Sequence, residues 1–211
     1  MNQRNYQKEL DHIIEDLEKK KEVPRLLLHS CCAPCSSYVL EYLSRFFQIT
    51  VFFYNPNIYP PEEYEVRVKE ERRLIERMPF VHPVAMKEGE YDPGKFYQAV
   101  KGFEKEPEGG ARCERCFRLR LYEAACAAKA GGYDYFTTTL TISPLKSAPK
   151  LNDIGEQVGK EMGVAFLPSD FKKKDGYKRS IQLSKEYELY RQNYCGCVYS
   201  HSQVDLGASE K

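Results

Sequence analysis

Apolar positions recur along this chain in two alternating rhythms. Over residues 5–20, Tyr6, Leu10, Ile13, Ile14 and Leu17 share one face of a 3.6-residue repeat and charged residues fill the other, which predicts an amphipathic helix. After Pro24 the run Arg25-Leu26-Leu27-Leu28-His29-Ser30 reads as a short buried strand. Helical spacing over 36–47, with Pro34 suited to a first turn, is followed by a β-branched and aromatic strand over 49–53. A breaker-rich loop over 54–61 leads to a charged helix over 62–78, a strand over 80–86 and a helix over 93–101. A turn at 106–110 opens an alanine-rich helix over 114–130, stopped by Gly131-Gly132. A strand over 133–139, a helix over 151–162, a strand over 164–167 and a closing helix over 178–192 complete the pattern.

Strands alternating with helices predict an α/β fold, with a mainly parallel sheet covered on both sides. No repeat, linker or low-complexity segment divides residues 1–211, so the chain reads as a single domain. Within it, 1–22 reads as an amino-terminal helical extension and 193–211 as a carboxyl-terminal segment. In such sheets the reactive loops collect at the carboxyl ends of the strands.

Composition narrows the chemistry. A chain of 211 residues can bury its own core and needs no disulfide staples. It has no apolar run near the ~20 residues of a membrane span, and its start lacks a secretory signal. These features predict a cytoplasmic protein, where clustered cysteines mean metal or redox chemistry. The net charge of +1 gives no overall attraction to nucleic acid, so any such role rests on a local surface.

Seven of the eight cysteines fall into tight groups: Cys31, Cys32 and Cys35; Cys113 and Cys116; Cys195 and Cys197. The first group follows the first strand, where a helix amino terminus favours thiolate. Cys113 and Cys116 have the spacing that lets both sulfurs reach one metal. Two thiolates from each of these groups would complete the shell of a 4Fe–4S cluster or a structural zinc. The 77 residues between Cys35 and Cys113 exceed the ~15–20 of a local zinc ribbon and favour the cluster. Cys195-Gly196-Cys197 closes a strained, easily reduced ring when oxidised, which suits an electron relay; a second metal or a flexible tail are the alternatives. Cys126, among alanines, reads as core filler.

The turn at 30–36 lacks the glycines of a nucleotide-binding loop. His12, His29, His82 and His201 show no ligand spacing and read as structural or surface groups, His29 standing nearest the site. Lys172, Lys173, Lys174, Lys178 and Arg179 form a basic cluster that could meet phosphates, and Tyr54, Asn55, Asn57 and Tyr59 could engage an unstacked base.

Four motifs taken together (28–36, 108–117, 138–146 and 194–197) resemble, in order and spacing, the cobalamin-independent epoxyqueuosine reductases, over 25–200. The resemblance implies a fold like the ATP-pyrophosphatase type and a reductase that converts epoxyqueuosine, at the wobble position of tRNA, to queuosine. By motif position, Cys31, Cys32, Cys113 and Cys116 would hold a 4Fe–4S cluster, and Cys195 and Cys197 would be the redox-active, disulfide-forming pair. An additional iron could stand beside the cluster, with Cys35 near enough to be considered. The electron donor is not indicated. Two other functions compete: a thioredoxin-like dithiol oxidoreductase built on Cys32-Ala33-Pro34-Cys35, and a zinc-stabilised RNA-binding module without catalysis.

Overall fold

In the computed structural model, which describes residues 4–200, the leucines of the first strand decide the layering. Strand β1 (Arg25–Ser30) sends Leu26 and Leu28 into one buried cluster and Leu27 into another, the period of two that a strand covered on both faces requires. It pairs in parallel with β2 (Gln48–Phe53) on one side and β4 (Tyr135–Thr138) on the other. Strand β3 (Val84–Glu88) lies beyond β2 and β5 (Ala165–Phe166) beyond β4, giving an all-parallel sheet in the order β3-β2-β1-β4-β5. His201, and the chain ends 1–3 and 201–211 of the two terminal segments, lie outside the described residues.

Helices α1 (Tyr6–Lys20), α2 (Ala33–Leu43) and α3 (Pro61–Arg77) bury Leu10, Ile14, Leu40, Leu43 and Leu74 with Leu26 and Leu28. Helix α4 (Pro93–Ala99) buries Phe96 beside Cys116 and Cys197. Across the sheet, α5 (Ala111–Ala130) and α6 (Ala148–Met162) lay Phe117, Leu121, Ala124, Leu151 and Val158 over Leu27 and Phe136. The alanines of α5 are therefore a packing face, small enough to let two helices approach. Helix α7 (Gly176–Glu186) packs against α2.

Several boundaries differ from the sequence expectation, each for a local reason. The strand expected over 80–86 starts only at Val84, because the His82 N–H is taken by the Ser44 carbonyl and Pro83 has no N–H to give. The strand expected over 133–139 yields to a 3₁₀ turn, Thr139–Ile142, whose first free N–H, that of Leu140, is capped by the Thr138 hydroxyl at 3.1 Å. The closing helix stops at Glu186 instead of 192. Helix α3 captures the chain there: Arg73 donates to the Glu188 carbonyl and Glu70 accepts from the Tyr190 N–H, while Glu188 turns left-handed at φ 52°.

Candidate active site

The strand order reverses between β1 and β4, and the carboxyl ends of two strands that part in this way frame a crevice. Cys31 and Cys32 leave the end of β1; the 3₁₀ turn and the Ser143–Lys146 turn leave the end of β4. Between them lies a cavity of about 550 Å³, lined among others by Cys31, Cys32, Cys35, Arg67, Lys146 and Cys195.

The first cysteine group is dense. The sulfurs of Cys31, Cys32 and Cys35 all lie within 4.8 Å of one another, and those of Cys31 and Cys32 are 3.8 Å apart. Cys32 is the amino-terminal cap residue of α2, with Pro34 in the first turn, so the helix dipole points at this trio. Hydrogen bonds from Cys32 and Cys35 hold Cys31 well below the usual thiol range, with Arg120 and Lys146 adding positive charge. The same hydrogen bonds to Cys31, with burial and the charge on Cys31 behind them, push Cys32 up to about 12 and Cys35 well above its ordinary value. One thiolate held by two thiols is what the donor set looks like before a cation replaces the protons.

The second group is looser and is gathered from two ends of the chain. Cys113 and Cys116 sit in the first two turns of α5, and Cys116 packs with Cys197, Phe96 and Val100. Cys195 and Cys197 complete the group: Cys116 feels the charge of Cys195, Cys197 and Cys113, Cys197 that of Cys195 and Cys113, and Cys113 that of Cys195. Burial pushes Cys116 up to about 12, Cys197 up to about 11, and Cys113 up as well, although the Gly109 N–H donates to the Cys113 sulfur at 3.2 Å. All eight cysteines are free thiols in this structure.

Three cations that the sequence did not single out tie the groups together. Arg120 is fully buried on α5; it donates to Asn55 Oδ1 at 2.6 Å and to His29 Nε2 at 3.3 Å, and it faces Cys116, Cys31 and Cys195. Its spacing of four from Cys116 puts both on one helix face, the signal that could have found it. Arg67 is 1% exposed on α3, donates to Glu63 at 2.7 Å and to the Cys195 carbonyl at 3.3 Å, and faces Cys32. Lys146 is drawn down by burial, but Cys195, Cys31 and Cys35 more than offset that and leave its ammonium firmly charged.

Two buried neutral groups back the site. Burial, then Arg120, pushes His29 down to about 3, so it stays neutral, its Nδ1 2.9 Å from Thr138 Oγ1. Glu71 is fully buried and its pKa is pushed up to about 8, chiefly by burial. Neither of its oxygens meets a partner in hydrogen-bond geometry, although the nearby Ser36 and Ser30 hydroxyls favour its charged form.

Other expected residues fall elsewhere. Tyr54, Asn55 and Asn57 are buried, so they cannot stack on a base; Asn55 instead donates to the Ser30 carbonyl at 2.8 Å. Tyr59 alone of that set is exposed. The basic cluster is largely spent on internal partners: Lys172 on the Thr141 carbonyl, Lys174 on Asp11 and Arg179 on Glu41. Cys126 is half-buried beside Tyr122 on α5, not in the core. A second depression, about 590 Å³ between α1 and α2, holds no thiol, and its Asp11 is already paired with Lys174 and Tyr42. The thiol-lined cavity is the one with chemistry.

Comparison with known proteins returns a consistent set of relatives. A family model described as "Epoxyqueuosine reductase QueH" matches residues 26–203. The chain is 46% identical over 200 residues to the epoxyqueuosine reductase QueH of Staphylococcus epidermidis, covering 93% of this chain and 84% of that protein. It is 44% identical over 198 residues to the QueH of Streptococcus pyogenes serotype M1, with 93% and 78% covered. With the QueH of Thermotoga maritima it shares 39% identity over 181 residues, with 83% and 89% covered. Among solved structures, the U34-tRNA thiolase NcsA from Methanococcus maripaludis with its [4Fe-4S] cluster has a similar fold. Its TM-score is 0.54 at 12% identity, over 96% of this chain and 72% of that one.

Proposed function

The chain belongs to the epoxyqueuosine reductase QueH family, and from that premise we propose that it removes the epoxide oxygen of epoxyqueuosine at the wobble position of tRNA, leaving queuosine. The net change consumes two electrons and two protons; both carbon–oxygen bonds of the epoxide break, the ring carbons form a double bond and the oxygen leaves as water. The observation that carries this reading is the cavity at the strand-order reversal, where Cys31, Cys32, Cys35 and Cys195 face one volume. Family membership leaves the thioredoxin-like and zinc-module alternatives without support.

A soft, all-thiolate donor set fits an iron–sulfur cluster. Cys31 and Cys32 from the first group, with Cys113 and Cys116 from the second, are the residues that would hold a 4Fe–4S cluster. Support for spanning both groups comes from Arg120, which faces Cys31 and Cys116 together. When bound, the cluster supplies electrons one at a time. Cys35, within 4.8 Å of both Cys31 and Cys32, is the thiol left for an additional iron.

The remaining steps belong to the chain's own residues. Cys195 and Cys197, as a dithiol, give two electrons and two protons when they close to a disulfide, which equals what one epoxide consumes; an external reductant reopens the pair. Gly196 permits the close approach of the two cysteines. Lys146 offers an N–H donor and a fixed positive charge to the cavity, opposing the negative charge that builds on the departing oxygen. A tRNA substrate and thiols kept reduced fit a cytoplasmic setting, and among the described residues no helix is long and apolar enough to cross a membrane.

The decisive experiment is to incubate the anaerobically reconstituted, reduced protein with tRNA carrying epoxyqueuosine and to weigh the released nucleosides. Conversion to queuosine is expected. An unchanged nucleoside in the presence of reductant and a full complement of iron would end the reductase reading.

A further inference from the structure

The motif at 138–146 ends in a turn that the reaction above leaves partly unexplained. Leu145 is 73% exposed, the most exposed large hydrophobic side chain among the described residues. Isolated exposed leucines are ordinary. Of the large exposed apolar and aromatic side chains, however, Leu145 is also the one that lines the thiol cavity. It stands at the mouth, on a tip that cannot fold away. The Lys146 N–H donates to the Ser143 carbonyl at 3.2 Å, and the Leu145 N–H donates to Ser143 Oγ at 3.3 Å. Lys172 ties both ends of the turn, donating to the Thr141 carbonyl at 2.9 Å and the Lys146 carbonyl at 3.4 Å. Pro144 fixes the backbone between them. The lysine expected to meet phosphate is thus spent on holding this turn rigid.

We propose that Leu145 is an RNA-engaging wedge: it fills the gap left in the anticodon-loop stack when the wobble nucleoside is drawn into the cavity. The inference rests on the reductase reading, because that reading makes the cavity's guest one nucleoside of a strand. Its neighbours must then remain at the rim while the target base is extruded, and extrusion costs the stacking on both sides of it. An apolar side chain placed in the gap recovers part of that loss, as apolar wedges do between unstacked base steps. The rim suits a single strand: Arg191 is exposed there, beside the Tyr177 ring, and offers positive charge for the backbone.

The test compares the wild-type holoenzyme with Leu145→Ala and Leu145→Glu, using Val81→Ala as the control because Val81 is nearly as exposed, at 69%, and does not line the cavity. Two quantities are read: the Kd for tRNA carrying epoxyqueuosine, and the fluorescence rise of an anticodon stem-loop with 2-aminopurine at the wobble position. Leu145→Ala should weaken binding about five-fold, the low end for one lost stacking partner, and at saturation should give a smaller fluorescence rise. Leu145→Glu should weaken binding further through repulsion from phosphate, and Val81→Ala should change neither quantity. Wild-type affinity together with a wild-type fluorescence rise in Leu145→Ala would overturn the wedge, whatever the enzyme does to the epoxide. If the wild type leaves epoxyqueuosine intact while Leu145→Ala still loses affinity, the reductase reading has failed and the RNA contact stands.

Discussion

The two thiol groups of this protein are built in opposite ways. Cys31, Cys32 and Cys35 come from five consecutive residues that run from the end of β1 into the first turn of α2, and their sulfurs converge whenever that strand and helix form. Cys113, Cys116, Cys195 and Cys197 converge only after the segment following α7 folds back across α3 and α5. What holds that segment is the packing of Cys197 and Tyr199 on Phe96, Val100 and Cys116, with a handful of polar contacts. The Tyr59 N–H donates to the Gly196 carbonyl at 2.8 Å, Arg67 donates to the Cys195 carbonyl, and Ser200 accepts from the Cys195 N–H at 3.1 Å. A locally built trio suits permanent ligation. A docked segment suits a dithiol that must meet both the site and an external reductant, because a few contacts can open without disturbing the sheet.

The comparison can be broken most severely at Cys113. If ligands from both groups share one cluster, Cys113→Ala should lose the iron and all measurable turnover, as should Cys32→Ala. Iron content after anaerobic reconstitution and conversion of epoxyqueuosine-containing tRNA are the two readings. Wild-type iron in Cys113→Ala would mean that the trio holds the metal alone and that the two groups are separate sites.

A smaller effect is expected in the docked segment. Gly196 sits at φ +108°, and a Cβ there would come within 2.9–3.1 Å of the Arg67 guanidinium, which is buried and locked onto Glu63. Strain of roughly 1–3 kcal/mol follows from the backbone conformation alone. Gly196→Ala should therefore keep its iron and its first turnover but lose roughly ten-fold in steady-state rate as the dithiol shifts. Cys195→Ser should keep its iron but sustain no turnover, because the thiol that remains cannot supply the electron pair each epoxide consumes. An undiminished steady-state rate in Cys195→Ser would remove the relay role.

Much of the first group was legible in the sequence and much of its surroundings was not. The strand, the cysteine run and Pro34 are adjacent, so local rules place them at a helix start at the end of a strand. Legibility fails where a side chain is judged by its class. Arg67, Arg120 and Glu71 read as solvated charge, yet each is fully buried. Their positions carried a clue: Tyr64, Arg67, Val68 and Glu71 fall on one face of α3, and Arg120 follows Cys116 by four. Buried charge on such a face needs a counterpart, which is Glu63 one turn away for Arg67 and thiols from distant segments for Arg120. The end of α7 was illegible for another reason. The pattern over 187–192 suits a helix, but Glu70 and Arg73 of α3 bind its backbone and override it.

The smallest effect on catalysis, and the sharpest on stability, concerns Glu71 behind the first group. Its pKa is raised from 4.5 to about 8, chiefly by burial, with no hydrogen-bond partner for either oxygen. The sign follows from which state binds the proton. Below pH 4.5 both folded and unfolded chains are protonated there, and the group costs nothing. As pH rises from 4.5 towards 8, the unfolded chain releases the proton while the folded chain keeps it, so stability falls steadily across that window, by about 3 kcal/mol at pH 7. Glu71→Gln removes the ionisation and keeps the shape. The metal-free variant should match the metal-free parent near pH 4 and exceed it progressively towards pH 8, as followed by urea unfolding. A stability difference that stays constant across that range would show that Glu71 is already ionised in the folded chain, and the first group would then rest on a buried negative charge instead of a neutral frame.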